Sequence, residues 1–232
     1  MSVVSWLLRG LLGLGGALLV FYTWPVAWGA LYAQKADAVI SRLRDGRPIN
    51  LPDALAAIDG LDRAIATDPS ATLQLMRSEV LVGAAIGLNW AAPDSQREQW
   101  WRSAEADLED GLGRAPARGI AWLRLAAVRE KLEGPSPRVV RPLMMSIETA
   151  PVVPRLWQRR LEMILRNWGA FTDREREQVA AYVVMTWQAG ADRQWFVRAL
   201  HQNIDELYLR LLLGELPGAQ DELSMWIGLV RR

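Results

Sequence analysis

The sequence contains no cysteine and one histidine, His201. Its charges nearly cancel: 27 Lys and Arg against 26 Asp and Glu leave a formal net charge of +1. Without Cys there are no disulfides, no thiolate nucleophile and no Cys-ligated metal. A single imidazole excludes every site that needs two, including His-rich zinc and di-iron centres. A chain so close to neutrality presents no broad basic field to nucleic acid. No glycine-rich phosphate loop, serine nucleophile elbow or dinucleotide fingerprint occurs. The expectation is therefore a chain that is not an enzyme, with no catalytic residues, metal, cofactor or nucleic-acid partner. Strand signals are missing as well, because no stretch alternates apolar and polar residues as a half-buried strand would.

What the chain has is apolar bulk: 51% of its 232 residues are hydrophobic and 12 are Trp, enough to bury a core. Residues 10–34 carry no charged side chain, and 11–32 are almost wholly apolar. At 1.5 Å per residue that run is about 33 Å long, enough for a bilayer core. Trp24, Trp28 and Tyr32 recur every four residues near its end, as an interfacial aromatic belt would. Pro25 is expected to kink the helix, which a membrane span tolerates. A cleaved signal peptide fits poorly: the run exceeds the ~7–15 residues of such a segment, and Leu31 takes the place of a small residue before Ala33. The expected domains are a transmembrane anchor at 1–34, a basic juxtamembrane linker at 35–51 and a helical domain at 52–232. Basic residues flank the span on both sides, Arg9 before it and Lys35, Arg42, Arg44 and Arg47 after it. A literal count favours a cytoplasmic C-terminal domain, but the rule weakens for long translocated domains, so charge leaves orientation open.

Beyond the turn Asp45-Gly46-Arg47-Pro48 the pattern is helix, break, helix. Helices are expected over 52–67, 70–88, 93–113, 120–131, 139–149, 155–168 and 172–187, with another opening at Asp192 and a last one after Pro217-Gly218. That gives about ten short helices counted by their caps and breakers. A fixed offset recurs among them. Pro69, Pro116 and Pro151 are followed six residues later by Leu75, Trp122 and Trp157. Proline stops one helix, having no N–H, and the large side chain then wedges between neighbouring hairpins. A period of ~34 with this placement is the tetratricopeptide spacing. The small residue expected four positions on is Ala126 in one repeat, but Glu79 and Leu161 in the others. The fold class expected is all-α: an N-terminal transmembrane helix followed by a tetratricopeptide-like helical-hairpin solenoid, capped around residues 207–213.

The order of pieces also carries a resemblance. A short N-terminal anchor precedes a basic hinge and the phrase Leu55-Ala56-Ala57-Ile58-Asp59-Gly60-Leu61-Asp62-Arg63-Ala64-Ile65. Later come Gly119-Ile120-Ala121-Trp122-Leu123-Arg124-Leu125-Ala126 and Trp168-Gly169-Ala170-Phe171. Together these resemble the small single-span proteins of bacterial exopolysaccharide and O-antigen synthesis clusters (VpsP-like proteins). The resemblance spans most of the chain and contains no catalytic signature. It implies a single-pass inner-membrane accessory factor with its helical domain in the periplasm, acting as a scaffold for protein partners of a polysaccharide assembly system.

Two sets of residues are candidates for binding. Arg124, Arg155 and Arg159 put basic charge on helices that open their repeats, and would meet a protein partner. Trp100 and Trp101 would serve an alternative function, binding of a glycan or lipid-linked sugar. Neighbours on a helix point about 100° apart, so both are buried only if that helix is covered over a wide arc. Two bland expectations accompany these: the carboxylates Glu105, Asp107, Glu109 and Asp110 form a solvated helix face, and His201 is structural.

Overall fold

The computed structural model describes the backbone of residues 3–190, 192–214 and 216–230. Side chains are described at 14, 16, 18–24, 26–190, 192–214 and 216–230. The chain is all-α, with no strand among the described residues. Its helices are α1 (Val3–Arg44), α2 (Leu51–Thr67), α3 (Ala71–Gly87), α4 (Asp94–Arg114), α5 (Gly119–Glu133), α6 (Pro137–Thr149), α7 (Pro154–Arg166), α8 (Asp173–Gln188), α9 (Arg193–Arg198), α10 (Asn203–Leu212) and α11 (Ala219–Val230). They form two compact units, Met1–Gly111 and Leu112–Arg232.

The helices begin where side-chain oxygens can take up otherwise orphaned N–H groups. Asn50 accepts from the Asp53 N–H at 2.8 Å and Asp192 from that of Gln194 at 2.9 Å. Thr172 and Glu175 form a reciprocal capping box at the start of α8. The helix expected to open at Asp192 ends early. Asp205 accepts from the backbone N–H groups of His201 and Gln202, both at 2.8 Å, and so caps a new helix, α10.

In the first unit, α1 and α2 run antiparallel, with Arg42 on Asp53 at one end and Tyr32 against Gly60 farther along. Helix α3 runs back alongside α1, from Leu73 near Gly29 to Gly83 against Leu43. Close approach is possible because the facing residues are small. Gly29, Ala33, Ala36 and Ile40 of α1 form a buried stripe, and Ala54, Ala57, Gly60 and Ala64 are the buried small residues of α2. Residues 35–44, expected as a linker, are thus the last turns of α1, with Ala36, Val39 and Ile40 buried. The charged residues in that segment hid the stripe, whose period is helical.

Among the described residues no helix is long and apolar enough to cross a membrane. Arg9 and Pro25, on which orientation and the kink were argued, lie outside the described side chains. The described side chains between 14 and 28 are all exposed.

In the second unit, α5 and α6 form an antiparallel hairpin, closed where Ser146 donates to the Gly119 carbonyl at 2.7 Å. Helices α7 and α8 form the next. One apolar core runs from Leu123 through Leu143, Trp157, Met163, Val183 and Phe196 to Leu209 and Leu223.

Candidate functional site

The recurring proline offset has a defined geometry. The Trp122 indole N–H donates to the Pro116 carbonyl at 2.7 Å, and that of Trp157 to the Pro151 carbonyl at 3.1 Å. Each indole therefore closes the turn it follows: its N–H satisfies a carbonyl left without a helical partner while its rings pack. Ala126 and Leu161, four residues on, are both buried. Glu79, at the same position after Leu75, is where Arg44 of α1 donates at 2.8 and 3.1 Å.

Both members of the proposed glycan platform are buried, Trp100 at 6% and Trp101 at 8% exposure. The buried arc of α4 takes in Trp100, Trp101, Ala104, Asp107, Leu108, Gly111 and Leu112, wide enough to cover two side chains 100° apart. The expectation that one of the pair faces a ligand is corrected: they are core.

In the carboxylate cluster on α4, Glu109 and Asp110 are exposed and Glu105 is half-buried, so the expected solvated face is corrected at Asp107 alone. Asp107 is 4% exposed and accepts from Arg77 of α3 at 2.7 and 2.5 Å. Arg77 also reaches Asp62 of α2, and Gln74 donates to Asp110. Hydrogen bonds donated to Asp107 raise the Arg77 pKa further above its already high value, so this cation stays charged. Burial pushes the Asp107 carboxyl up, against the pull of Arg77. The cluster ties α2, α3 and α4 together, and no metal-ligating group of three acidic or His residues occurs among the described residues.

Of the three arginines expected to bind a partner, Arg155 and Arg159 lie four apart on one face of α7, and both are exposed. Arg159 also pairs with Glu162 at 2.9 Å. Arg124, on the neighbouring α5, is half-buried and already engaged within the fold. Helices α5 and α7 are joined where Arg166 and Asn167 both donate to Glu130, at 2.8 and 2.6 Å. The structure therefore leaves Arg155 and Arg159 as an outward basic pair and draws Arg124 partly inward.

The most consequential side chain in this region is Arg160, which is fully buried. Its guanidinium donates to the Ala150 carbonyl at 2.8 Å, the Tyr182 hydroxyl at 3.1 Å, the Ser146 hydroxyl at 3.1 and 2.9 Å, and the Ser146 carbonyl. It also lies 5.7 Å from the centroid of the Tyr182 ring. These acceptors are neutral, and two are carbonyls at the C-terminus of α6, where a cation is favoured by the helix dipole. Burial raises the pKa of the Tyr182 hydroxyl despite the cation beside it. Arg160 clamps α6, α7 and α8. Its position was legible: it falls four residues from Leu156 and Ile164, inside the apolar stripe of α7 rather than on the basic face.

A crevice between α7, α8 and α9 is lined by Trp157, Leu161, Tyr182, Val183, Trp195 and Phe196, with Gln158 and Thr186. It offers about 10 Å³ of water-sized room, space for about one water molecule and not for a sugar ring.

A run of uncovered apolar side chains lies on α1. Leu18, Leu19, Val20, Phe21 and Tyr22 are each 61–83% exposed, and Leu14, Trp24, Val26 and Leu31 are exposed as well. Trp24 and Trp28 stack at 5.2 Å, and the Trp28 indole donates to the Tyr32 hydroxyl at 3.2 Å. No protein-family model matches the chain, and neither does any curated protein or solved structure.

Proposed function

We propose that this chain is a non-catalytic, membrane-anchored scaffold, held by α1 in the bacterial inner membrane. Its tetratricopeptide-like hairpins would gather protein partners of an exopolysaccharide assembly system in the periplasm. The anchor reading rests on one observation. Five consecutive residues of α1, Leu18 to Tyr22, are apolar and exposed. At 100° per residue they point in every direction around the helix. A helix apolar all round requires an apolar solvent all round.

The repeat reading is supported by contacts at nearly constant separation, Arg44 to Glu79 and Glu130 to Arg166, which are 35 and 36 residues apart. Both join the first helices of successive hairpins, as stacked repeats do. The polysaccharide role rests on the resemblance described above.

Two experiments test this. A reporter active only outside the cytoplasm, fused after Arg232, is expected to be active; activity of a cytoplasmic reporter instead would refute the periplasmic placement. Crosslinking in a polysaccharide-producing cell is expected to join the chain to polymerisation or export proteins of the same gene cluster. Alanine at Arg155 and Arg159 is expected to weaken that crosslink at least several-fold with the fold intact. An unchanged crosslink would remove the basic pair from the partner surface.

A further inference from the structure

Resting on that anchor reading, we infer that the first unit stands directly on the lipid bilayer, with the turn between α2 and α3 at headgroup level. The bundle is held upright by α1 itself and not by a flexible tether. The occupant of the exposed half of α1 is lipid and not a partner helix, because a partner helix covers one face only, whereas the exposed apolar residues run around the whole circumference.

The level of the surface follows from the aromatic residues. Trp24, Trp28 and Tyr32 form one contacting column, linked by stacking, a hydrogen bond and an edge contact at 6.2 Å. Amphipathic rings of this kind settle at the boundary between acyl chains and headgroups. Among the described side chains of α1 the first buried residue is Gly29, at the level of that column. A Cβ at Gly29 would stand 3.4 Å from Asp68 Cβ, 3.5 Å from the Ala64 carbonyl oxygen and 3.9 Å from Leu73 Cδ1. The end of α2 and the start of α3 are therefore fixed to α1 within one turn of the belt. No loop intervenes, since α1 continues as helix to Arg44. Along that helix the far end of the bundle lies about 22 Å farther from the membrane.

A chain without Cys makes the test direct. Single-Cys variants of the full chain would carry an environment-sensitive fluorophore, in phosphatidylcholine vesicles containing 25% phosphatidylglycerol. Quenching is compared between lipids labelled on the headgroup and lipids labelled deep in the acyl chain. Phe21→Cys is expected to be quenched by the deep label. Ala66→Cys and Thr72→Cys, both exposed positions beside the α2–α3 turn, are expected to be quenched several-fold more by the headgroup label than by the deep one. Arg47→Cys, at the far turn, is expected to be quenched by neither. Loss of deep quenching at Phe21→Cys would overturn the anchor itself. Deep quenching there, with Ala66→Cys and Thr72→Cys behaving like Arg47→Cys, would overturn the docked bundle alone. Headgroup quenching at all three bundle sites would overturn its upright stance. Unchanged helical circular dichroism certifies each variant, and two sites at the same level guard against the failure of one.

Discussion

Gly60→Ala separates backbone packing from helix propensity, because the two act in opposite directions. On propensity alone, alanine in the middle of α2 should stabilise by about 1 kcal/mol, glycine being the poorest interior residue apart from proline. The structure puts the added Cβ 2.7 Å from the backbone oxygen of Tyr32. Neither partner is a side chain that could swing aside, so α1 and α2 must move apart by several tenths of an ångström along a seam of small residues. Overpacking of this kind costs about 1–3 kcal/mol. Since the contact here is backbone to backbone, the upper part of that range applies, and the net expectation is destabilisation by about 1–2 kcal/mol. Gly29→Ala is the matched control in the same seam, because its Cβ meets nothing closer than 3.4 Å and should stabilise by up to about 1 kcal/mol. The assay is thermal unfolding of the full chain in mild detergent, followed by circular dichroism and Trp fluorescence. For a chain of this size the shift is about 2–4 °C per kcal/mol. A rise in melting temperature for Gly60→Ala comparable to that for Gly29→Ala would refute the backbone contact, and with it the argument that α1 grips the bundle rigidly.

Three further predictions concern the rest of the molecule. Arg160→Met strands two carbonyls at the end of α6 and should cost about 3–5 kcal/mol by denaturant unfolding; a loss below about 1 kcal/mol would mean the clamp is not formed. Trp157→Phe keeps the ring but removes the N–H that meets the Pro151 carbonyl, and should cost about 0.5–1.5 kcal/mol beyond any loss of area, with Trp122→Phe behaving alike; no loss at either site would dissolve the turn-closing role. Asp107 has a pKa raised by burial. A raised carboxyl pKa binds extra protons in the folded state, so its contribution to stability falls as pH rises from about 4, the unfolded value, through the folded one. The stability of the wild type relative to Asp107→Asn should therefore decline across that window and then level off. A difference that grows with pH there would mean the Arg77 pairing outweighs burial.

Much of the fold was legible because helices are local objects. Helix starts at Ser70 and Thr172, and breakers at Pro69, Pro116 and Pro151, mark boundaries through groups within a few residues of each other, whereas the Asn50 cap of α2 emerged only in the structure. The pairing of Pro116 with Trp122 and of Pro151 with Trp157 was visible as a spacing before it was visible as a hydrogen bond. What was not legible is which face of a helix lies under another element. Trp100 and Trp101 were open to a ligand role until the arc of α4 proved broad enough to bury both. Asp107 read as one of four similar acids, and only α3, some thirty residues away, distinguishes it by bringing Arg77 to it.

The arginines of α7 show how finely that distinction is drawn. Arg155 and Arg159 lie on the outward face, and Arg160 is rotated 100° from Arg159, onto the stripe shared with Leu156, Trp157 and Ile164. One residue of helix thus converts a solvated cation into a buried one. The fold tolerates it because Ser146, Ala150 and Tyr182 present neutral acceptors in place of a carboxylate. A carboxylate would add a second charge to desolvate, whereas helix-end carbonyls need a donor in any case. Arg160 therefore stabilises the hairpins by satisfying groups that the ends of helices leave over. That places it in the framework of the second unit and leaves Arg155 and Arg159 on its outward face.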